Sequence, residues 1–470
     1  MYPIDSSVPR ASNFPRFRED PLSFLSAARS ELGDLFVLTD DGPIFSRTPA
    51  CNGVVAVFGE KRQRAVLSDT DTFGMPPSAA RQLALSARLT NLNHSLHSMR
   101  GEQHQVQKRQ LTGMLAKGLN EEEYASVSIG LGVFAKRWSK GGEIDLLGEM
   151  RDLTLQLATR VMFGDWSPEN ERLARLIQTY FHLRREASSP ANKQGAVSRE
   201  LLVTTGELLD DVLRERLRRC RRSTAGSSAG LIARMAGVDE PRMSEDAMVG
   251  HSNILFVSSV EPIAVSLTWT LMILSQLPAL RQDLRKAFRN APDGWVPSAF
   301  GRPQRQTLLE CVISESLRLL PPNAIMVRTT TKPALLCGTQ LPENCEVILC
   351  PFVAHRDKDV FDHPSEFDPS RWINARPSPF EYFPFGGGGH TCVGRGLAFQ
   401  VMTTVLTFLL GQYDIVLARD QMVDWRLHVQ FMPRSDPAVI IGRVEDGALR
   451  RGGRLLGPVG EMLDLTRHRA

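Results

Sequence analysis

The stretch that most constrains this chain lies near its C-terminal end: Phe385-Gly386-Gly387-Gly388-Gly389-His390-Thr391-Cys392-Val393-Gly394-Arg395-Gly396. Successive glycines lose too much conformational freedom on folding to hold a regular element, so they form a loop whose backbone can approach a flat or bulky neighbour closely. Leu397, Val401, Val405, Leu406, Leu409 and Leu410 then recur at helical spacing, placing Cys392 where a loop feeds a buried helix. Backbone N–H groups and the positive end of the helix dipole both favour the thiolate there. A thiolate on such a loop is a good soft axial ligand for iron.

Three other readings compete on this stretch. A phosphate-binding loop requires a Lys-Ser/Thr pair after the last glycine, and none follows. A dinucleotide fingerprint requires a preceding apolar strand, but Pro379 to Pro384 is aromatic and broken by proline. A plain buried cysteine beside a flexible loop stays open until spacing is considered. The spacing Phe-x-x-Gly-x-His-x-Cys-x-Gly, carried by Phe385, Gly388, His390, Cys392 and Gly394, resembles the haem-ligand loop of the cytochrome P-450 family.

Other segments test that resemblance. Gly101 to Leu115 has helical spacing and carries His104 and Lys108 on one face, with Arg109 beside them. Taken alone, this is an ordinary solvated face. The resemblance implies a His-x-x-x-Arg pair holding the haem propionates, with Lys108 in the arginine's place. A lysine keeps the charge but loses the bidentate geometry. Arg328, after Pro321-Pro322, falls where the family places a further propionate-binding arginine.

Glu315-Ser316-Leu317-Arg318 sits among apolar residues on a helix expected over 304–320. By itself the i, i+3 pair is a common surface feature of small energetic value. With Arg371 in Phe367-Asp368-Pro369-Ser370-Arg371-Trp372, it matches the family's structural Glu-x-x-Arg and Phe-x-Pro-x-Arg elements. Cys337, Cys345, Cys350 and His355 offer zinc-binding residue types but form no Cys-x-x-Cys knuckle, which argues against zinc.

Ser244 is a helix N-cap with Glu245 and Asp246 in the following turn, opening a long apolar helix. Mid-span it carries Ser258-Ser259-Val260-Glu261-Pro262, and a charge and a proline there argue against a lipid-facing span. Leu267-Thr268-Trp269 sets its register against the family's Ala/Gly-Gly-x-Asp/Glu-Thr, whose acid and alcohol deliver protons to dioxygen. Glu261 keeps the acid, whereas Pro262 replaces the alcohol and is expected to kink the helix.

Elsewhere the spacing predicts a helix over 21–32, strands at 36–38 and 54–58, and a helix over 60–68. Residues 70–97 read as a loop-like wall, and 121–222 as several helices. Short strands are expected within 335–349, at 413–417 and at 438–441. The basic run from Arg214 to Arg222 reads as a solvated face or a partner-docking surface. Residues 450–470 are expected as a flexible tail.

Net charge is +4, from 56 basic and 52 acidic residues, too balanced for nucleic acid as a bulk partner. Seven scattered cysteines form no disulfide framework and suit the cytoplasm. The polar N-terminal segment lacks the apolar run of a signal or membrane anchor.

The resemblance implies one mostly α domain over 1–470 with a small β-rich lobe, the cytochrome P-450 fold. It implies haem b, iron protoporphyrin IX, between the long helix and the cysteine loop. Cys392 would ligate the iron, with His104, Lys108, Arg328, Phe385 and His390 as cofactor-binding residues and Glu261 and Ser259 as catalytic ones. The implied activity is insertion of one oxygen atom into a lipophilic small molecule. Electrons would come from NAD(P)H through a ferredoxin or flavodoxin and its reductase. Pro262 keeps two alternatives open: an enzyme using peroxide or rearranging a hydroperoxide, and a non-catalytic haem-binding or sensor protein.

Overall fold

The computed structural model describes residues 4–466 apart from 13, 78–82, 84, 117, 189–198, 223–229, 238–242, 291–306, 428–429 and 445–451. Helices dominate, and capping side chains set many of their starts. Asp20 accepts from the Ser23 N–H to open Pro21–Leu32, and Ser244 accepts from the Ala247 N–H to open Glu245–Ser275. Reciprocal capping boxes start Glu121–Trp138 (Asn120 with Glu123) and Leu308–Leu319 (Thr307 with Glu310).

Two sheets matter for the site. The larger has the order Leu35–Thr39, Val54–Val57, Glu346–Leu349, Met326–Thr330, Phe73–Gly74. Val54–Val57 and Glu346–Leu349 run parallel and the other neighbours are antiparallel. This pairing fixes Arg328 opposite Val347, within the protein. The second sheet places Ala438–Arg443 between Gly142–Asp145 and Tyr413–Leu417.

The 31-residue helix Glu245–Ser275 is the axis of the molecule, and every residue from Ala264 to Ser275 is buried. It is the one described helix long and apolar enough to cross a membrane, yet its C-terminal half lies inside the main hydrophobic core. Trp269 Nε1 donates to the Phe431 carbonyl at 3.0 Å, satisfying the indole within that core. The helix runs through Pro262 without interruption.

Two expectations need correction. The stretch 70–97 is not wholly loop-like: Ala87–Leu92 is a helix capped by Ser86, with Leu89 and Leu92 buried. It is short, and its stabilisation comes from packing on the second core cluster rather than from its own periodicity. The tail also differs from expectation. Leu455–Leu456 pairs with Gln421–Met422, and Leu455, Val459, Leu463 and Leu465 are buried in the main core. Four apolar side chains anchor what charge and glycine suggested would be loose.

Candidate functional site

The cysteine loop closes on itself through the Cys392 N–H, which donates to the Phe385 carbonyl at 2.9 Å. Its glycines are required for close packing. A Cβ on Gly388, whose φ is +62°, would stand 2.0 Å from the Leu67 carbonyl oxygen; one on Gly389 would stand 2.4 Å from Thr70 Cγ2. The close neighbour of these two glycines is thus the end of helix Glu60–Ser68 and the turn after it. Phe385 is half-buried against the main core.

Cys392 opens the helix Arg395–Gln412, and its side chain is exposed to solvent at the loop. Surrounding protein pushes the thiol up, while the Gly394 N–H, Arg395 and Lys108 pull it down. Of these influences, the surrounding protein is the largest.

A cluster of basic groups lies beside the loop. The rings of His104 and His390 are 4.5 Å apart. His104 is buried and its Nε2 has no partner. Arg328 is buried, its Nη1 donating to the Val327 carbonyl at 2.9 Å and its Nε unpaired. Burial lowers the Arg328 guanidinium to about 10. Burial, with Arg328 and the neighbouring bases, holds His390 down to about 3. Lys108 donates to the Gly389 carbonyl. It therefore braces the cysteine loop directly, whatever else it binds.

Sequence reasoning missed His97, whose protonation is disfavoured by the surrounding protein and by the charges of Arg328 and His104. It lies in a turn without periodicity, so only its histidine identity hinted at a role. No described carboxylate figures among the influences on His97, His104 or Arg328. A buried guanidinium with an open donor and no anion beside it requires one. An iron porphyrin, which offers a metal to the thiolate and two carboxylates to the bases, fits these residues.

Behind the loop, Glu315 is fully buried and saturated with donors. Arg318 reaches it at 2.9 and 2.8 Å, Arg371 Nε at 2.9 Å, Trp372 Nε1 at 2.9 Å and the Asp368 N–H at 2.9 Å. Arg318 also donates to the carbonyls of His355, Pro364 and Glu366. His355 Nε2 in turn accepts from the Phe383 N–H at 3.0 Å, two residues before Phe385. The network thus leads from the helix Leu308–Leu319 into the cysteine loop.

On the long helix, Glu261 forms an ion pair with Arg151 of helix Leu146–Phe163. Ser259 Oγ donates to the Phe256 carbonyl at 2.7 Å. The structure thus gives both residues partners within the protein. The basic run at Arg214–Arg222 is likewise engaged by this chain: Arg214, Arg218 and Arg221 gather on Glu245, and Arg219 on Glu169.

Comparison with known proteins agrees with this architecture. Pentalenene oxygenase of Streptomyces avermitilis is 25% identical over 336 residues, 67% of this chain and 73% of that protein. Cyclooctatin synthase of Streptomyces melanosporofaciens is 27% identical over 296 residues, 59% of this chain and 63% of that protein. Mitochondrial sterol 26-hydroxylase of Rattus norvegicus is 34% identical over 192 residues, 37% of this chain and 34% of that protein. The matches therefore span from a third to nearly three-quarters of these relatives' lengths. The family profile for cytochrome P450 matches residues 41–439, and the chain belongs to the cytochrome P450 family of haem monooxygenases.

Proposed function

We propose that this monooxygenase inserts one atom of dioxygen into a lipophilic small molecule, and that Cys392 would hold the iron of a haem b through its thiolate. The balance is one C–H bond, dioxygen, two electrons and two protons giving one C–OH and water. The electrons come from NAD(P)H through a reductase and a ferredoxin or flavodoxin, and the chain's free thiols accord with a cytoplasmic setting. Relatives named for pentalenene, for cyclooctat-9-en-7-ol and for a sterol support a carbon-rich substrate.

The observation that carries this reading is the pairing of a loop-held Cys392 with buried bases that have no acidic partner among the described residues. When bound, the haem supplies dioxygen activation at its iron. Arg328, His104 and His390, with Lys108 bracing the loop, bind and orient its carboxylates. Phe385 limits water at the sulfur, and Glu261 draws protons from solvent. Ser259, committed to the Phe256 carbonyl, has a smaller share in that relay.

The test is the absorption spectrum of the reduced carbon monoxide complex. Wild type gives a thiolate-type spectrum, and Cys392→Ser loses it while keeping the far-ultraviolet circular dichroism of the folded chain. An unchanged thiolate-type spectrum in the variant removes the assignment. Pro262, in place of a hydroxyl residue, favours a second reading in which peroxide or a hydroperoxide is the oxidant. Product formed with peroxide alone, and none with reductase, ferredoxin and dioxygen, selects that reading.

A further inference from the structure

Arg184, near the end of helix Pro168–Ala187, is a sheltered cation without an acid. Leu173, Ile177 and Tyr180 are buried and share one stripe of that helix with Arg184, at i, i+4, i+7 and i+11. The arginine thus leaves from the inner face, where it is half-buried. Burial pulls its guanidinium below the usual range, and no described carboxylate figures among the influences on it. Neither 78–84 nor 189–198, which flank this region in sequence, contains an aspartate or a glutamate.

Its contacts are neutral ones. Nη1 donates to Asn93 Oδ1, and the guanidinium carbon lies 5.4 Å from the centre of the Phe181 ring. Asn93 Nδ2 donates in turn to the Tyr180 hydroxyl and the Leu89 carbonyl, both at 2.7 Å. The amide therefore fixes the Nη1 side of the guanidinium. Nε and Nη2 have no partner among the described residues.

That free edge is the one this protein uses elsewhere to grip carboxylates, because its two N–H bonds point the same way. Arg318 holds Glu315 by Nε and Nη2 at 2.9 and 2.8 Å, and Arg175 holds Glu171 at 3.0 and 2.8 Å. Arg454 holds Asp420 in the same way, at 2.9 and 2.7 Å. In Arg184 the same fork is set and turned inward, with no acid of this chain in it.

Its place in the fold points to the substrate. Asn93 follows the helix Ala87–Leu92, which is seated on the long helix by Asn253 Nδ2 donating to the Leu92 carbonyl at 2.9 Å. His97, which feels the charges of Arg328 and His104, comes four residues after Asn93, at most about 14 Å along the chain. Leu96 and Leu255, like Val393 beside Cys392, are only partly buried against the second core cluster. A half-covered apolar surface thus runs between the arginine and the cysteine loop.

We infer that Arg184 anchors a carboxylate of the substrate, so that this enzyme takes a lipophilic acid and oxidises its carbon skeleton at a set distance from the acid group. This rests on the monooxygenase reading above and names its substrate class. The carboxylate is bound and not consumed: Nε and Nη2 donate to its two oxygens while the apolar body lies along the half-covered surface. Asn93 and Tyr180 hold the fork in position.

The experiment titrates the haem-loaded enzyme with two acids, dodecanoic and abietic, each beside its methyl ester, and follows the haem spectral shift. Wild type should bind an acid at least about tenfold more tightly than its ester, the scale of a charge-assisted pair. Arg184→Gln should bring the acid down to the level of the ester and leave the ester unchanged, which a merely structural role would not do. Arg184→Lys, which keeps the charge and loses the fork, should fall between them. Arg185→Gln, at the exposed neighbour, should match wild type. Equal affinity for acid and ester, no response to either acid, or a preference that survives in Arg184→Gln overturns the inference. A wild type that prefers the acids but forms no product from them with reductant and dioxygen overturns the monooxygenase reading and leaves the anchor standing.

Discussion

Arg151 grips Glu261 at two points across neighbouring helices: its Nε lies 3.0 and 3.1 Å from the two carboxylate oxygens, and its Nη2 also donates to Oε1. Both side chains are about one-third exposed, so the carboxylate is held in place yet within reach of water.

From that pair follows a separation of function from stability. Glu261→Gln keeps the size of the side chain but removes its ability to carry a proton. It should lower product per NAD(P)H by severalfold (roughly 3- to 10-fold), with peroxide-driven turnover little changed. Arg151→Ala should cost about 1 kcal/mol in denaturant unfolding, the modest scale of a partly solvated pair. Equal coupling in Glu261→Gln and wild type would exclude the carboxylate from the relay.

The Glu315 network should behave in the opposite way. Glu315 and Arg318 are fully buried, and removing one member leaves a charge without its partner. Glu315→Ala and Arg371→Ala should each cost about 3–5 kcal/mol, a large part of a typical net stability. Both should give little folded, haem-loaded protein. Trp372→Phe removes a single hydrogen bond to Glu315 and should cost only about 1–2 kcal/mol. Melting temperature and haem-to-protein ratio measure all three, and full loading in Glu315→Ala would refute the buried-triad account.

Gly388 and Gly411 offer a contrast between two glycines. At Gly388 a methyl group meets the Leu67 backbone, and φ is +62°. Gly388→Ala should therefore cost roughly 1–3 kcal/mol and reduce haem loading, because helix Glu60–Ser68 must move away from the loop. At Gly411, within Arg395–Gln412, a methyl group meets nothing within 4 Å. Gly411→Ala should be neutral or stabilising by up to about 1 kcal/mol. Thermal melting of the two variants beside wild type checks the pair.

His355 predicts a pH dependence of stability. It is fully enclosed, and burial together with the Arg318 and Arg356 charges lowers it from 6.5 to about 3. Its Nε2 accepts the Phe383 N–H, an arrangement open only to the neutral ring. Between pH 6.5 and 3 the unfolded chain takes up a proton that the folded chain refuses. This contribution is accordingly present above pH 6.5 and lost as pH falls towards 3, on the order of 5 kcal/mol over the window. Denaturant unfolding at steps across that range should show a steeper acid loss in wild type than in His355→Gln. Parallel profiles would remove His355 as the cause.

Much of this protein was legible along the chain. The helices at 21–32, 60–68 and 101–115 have the expected bounds because caps, breakers and periodicity act within a few residues. The loop-to-helix placement of Cys392 and the pairing of Glu315 with Arg318 are local in the same sense. Such signals are written at spacings of three or four residues, where the sequence itself is the geometry.

What the tertiary structure decided involves partners far apart in the chain. His97 gains meaning only beside Arg328, and His355 only as the acceptor for Phe383. The partner of Glu261, Arg151, lies 110 residues away on another helix. Leu455, Val459, Leu463 and Leu465 turn a basic, glycine-bearing tail into part of the core. Burial sets the cost of an unpaired polar group, and burial is a property of the assembled fold rather than of any short stretch.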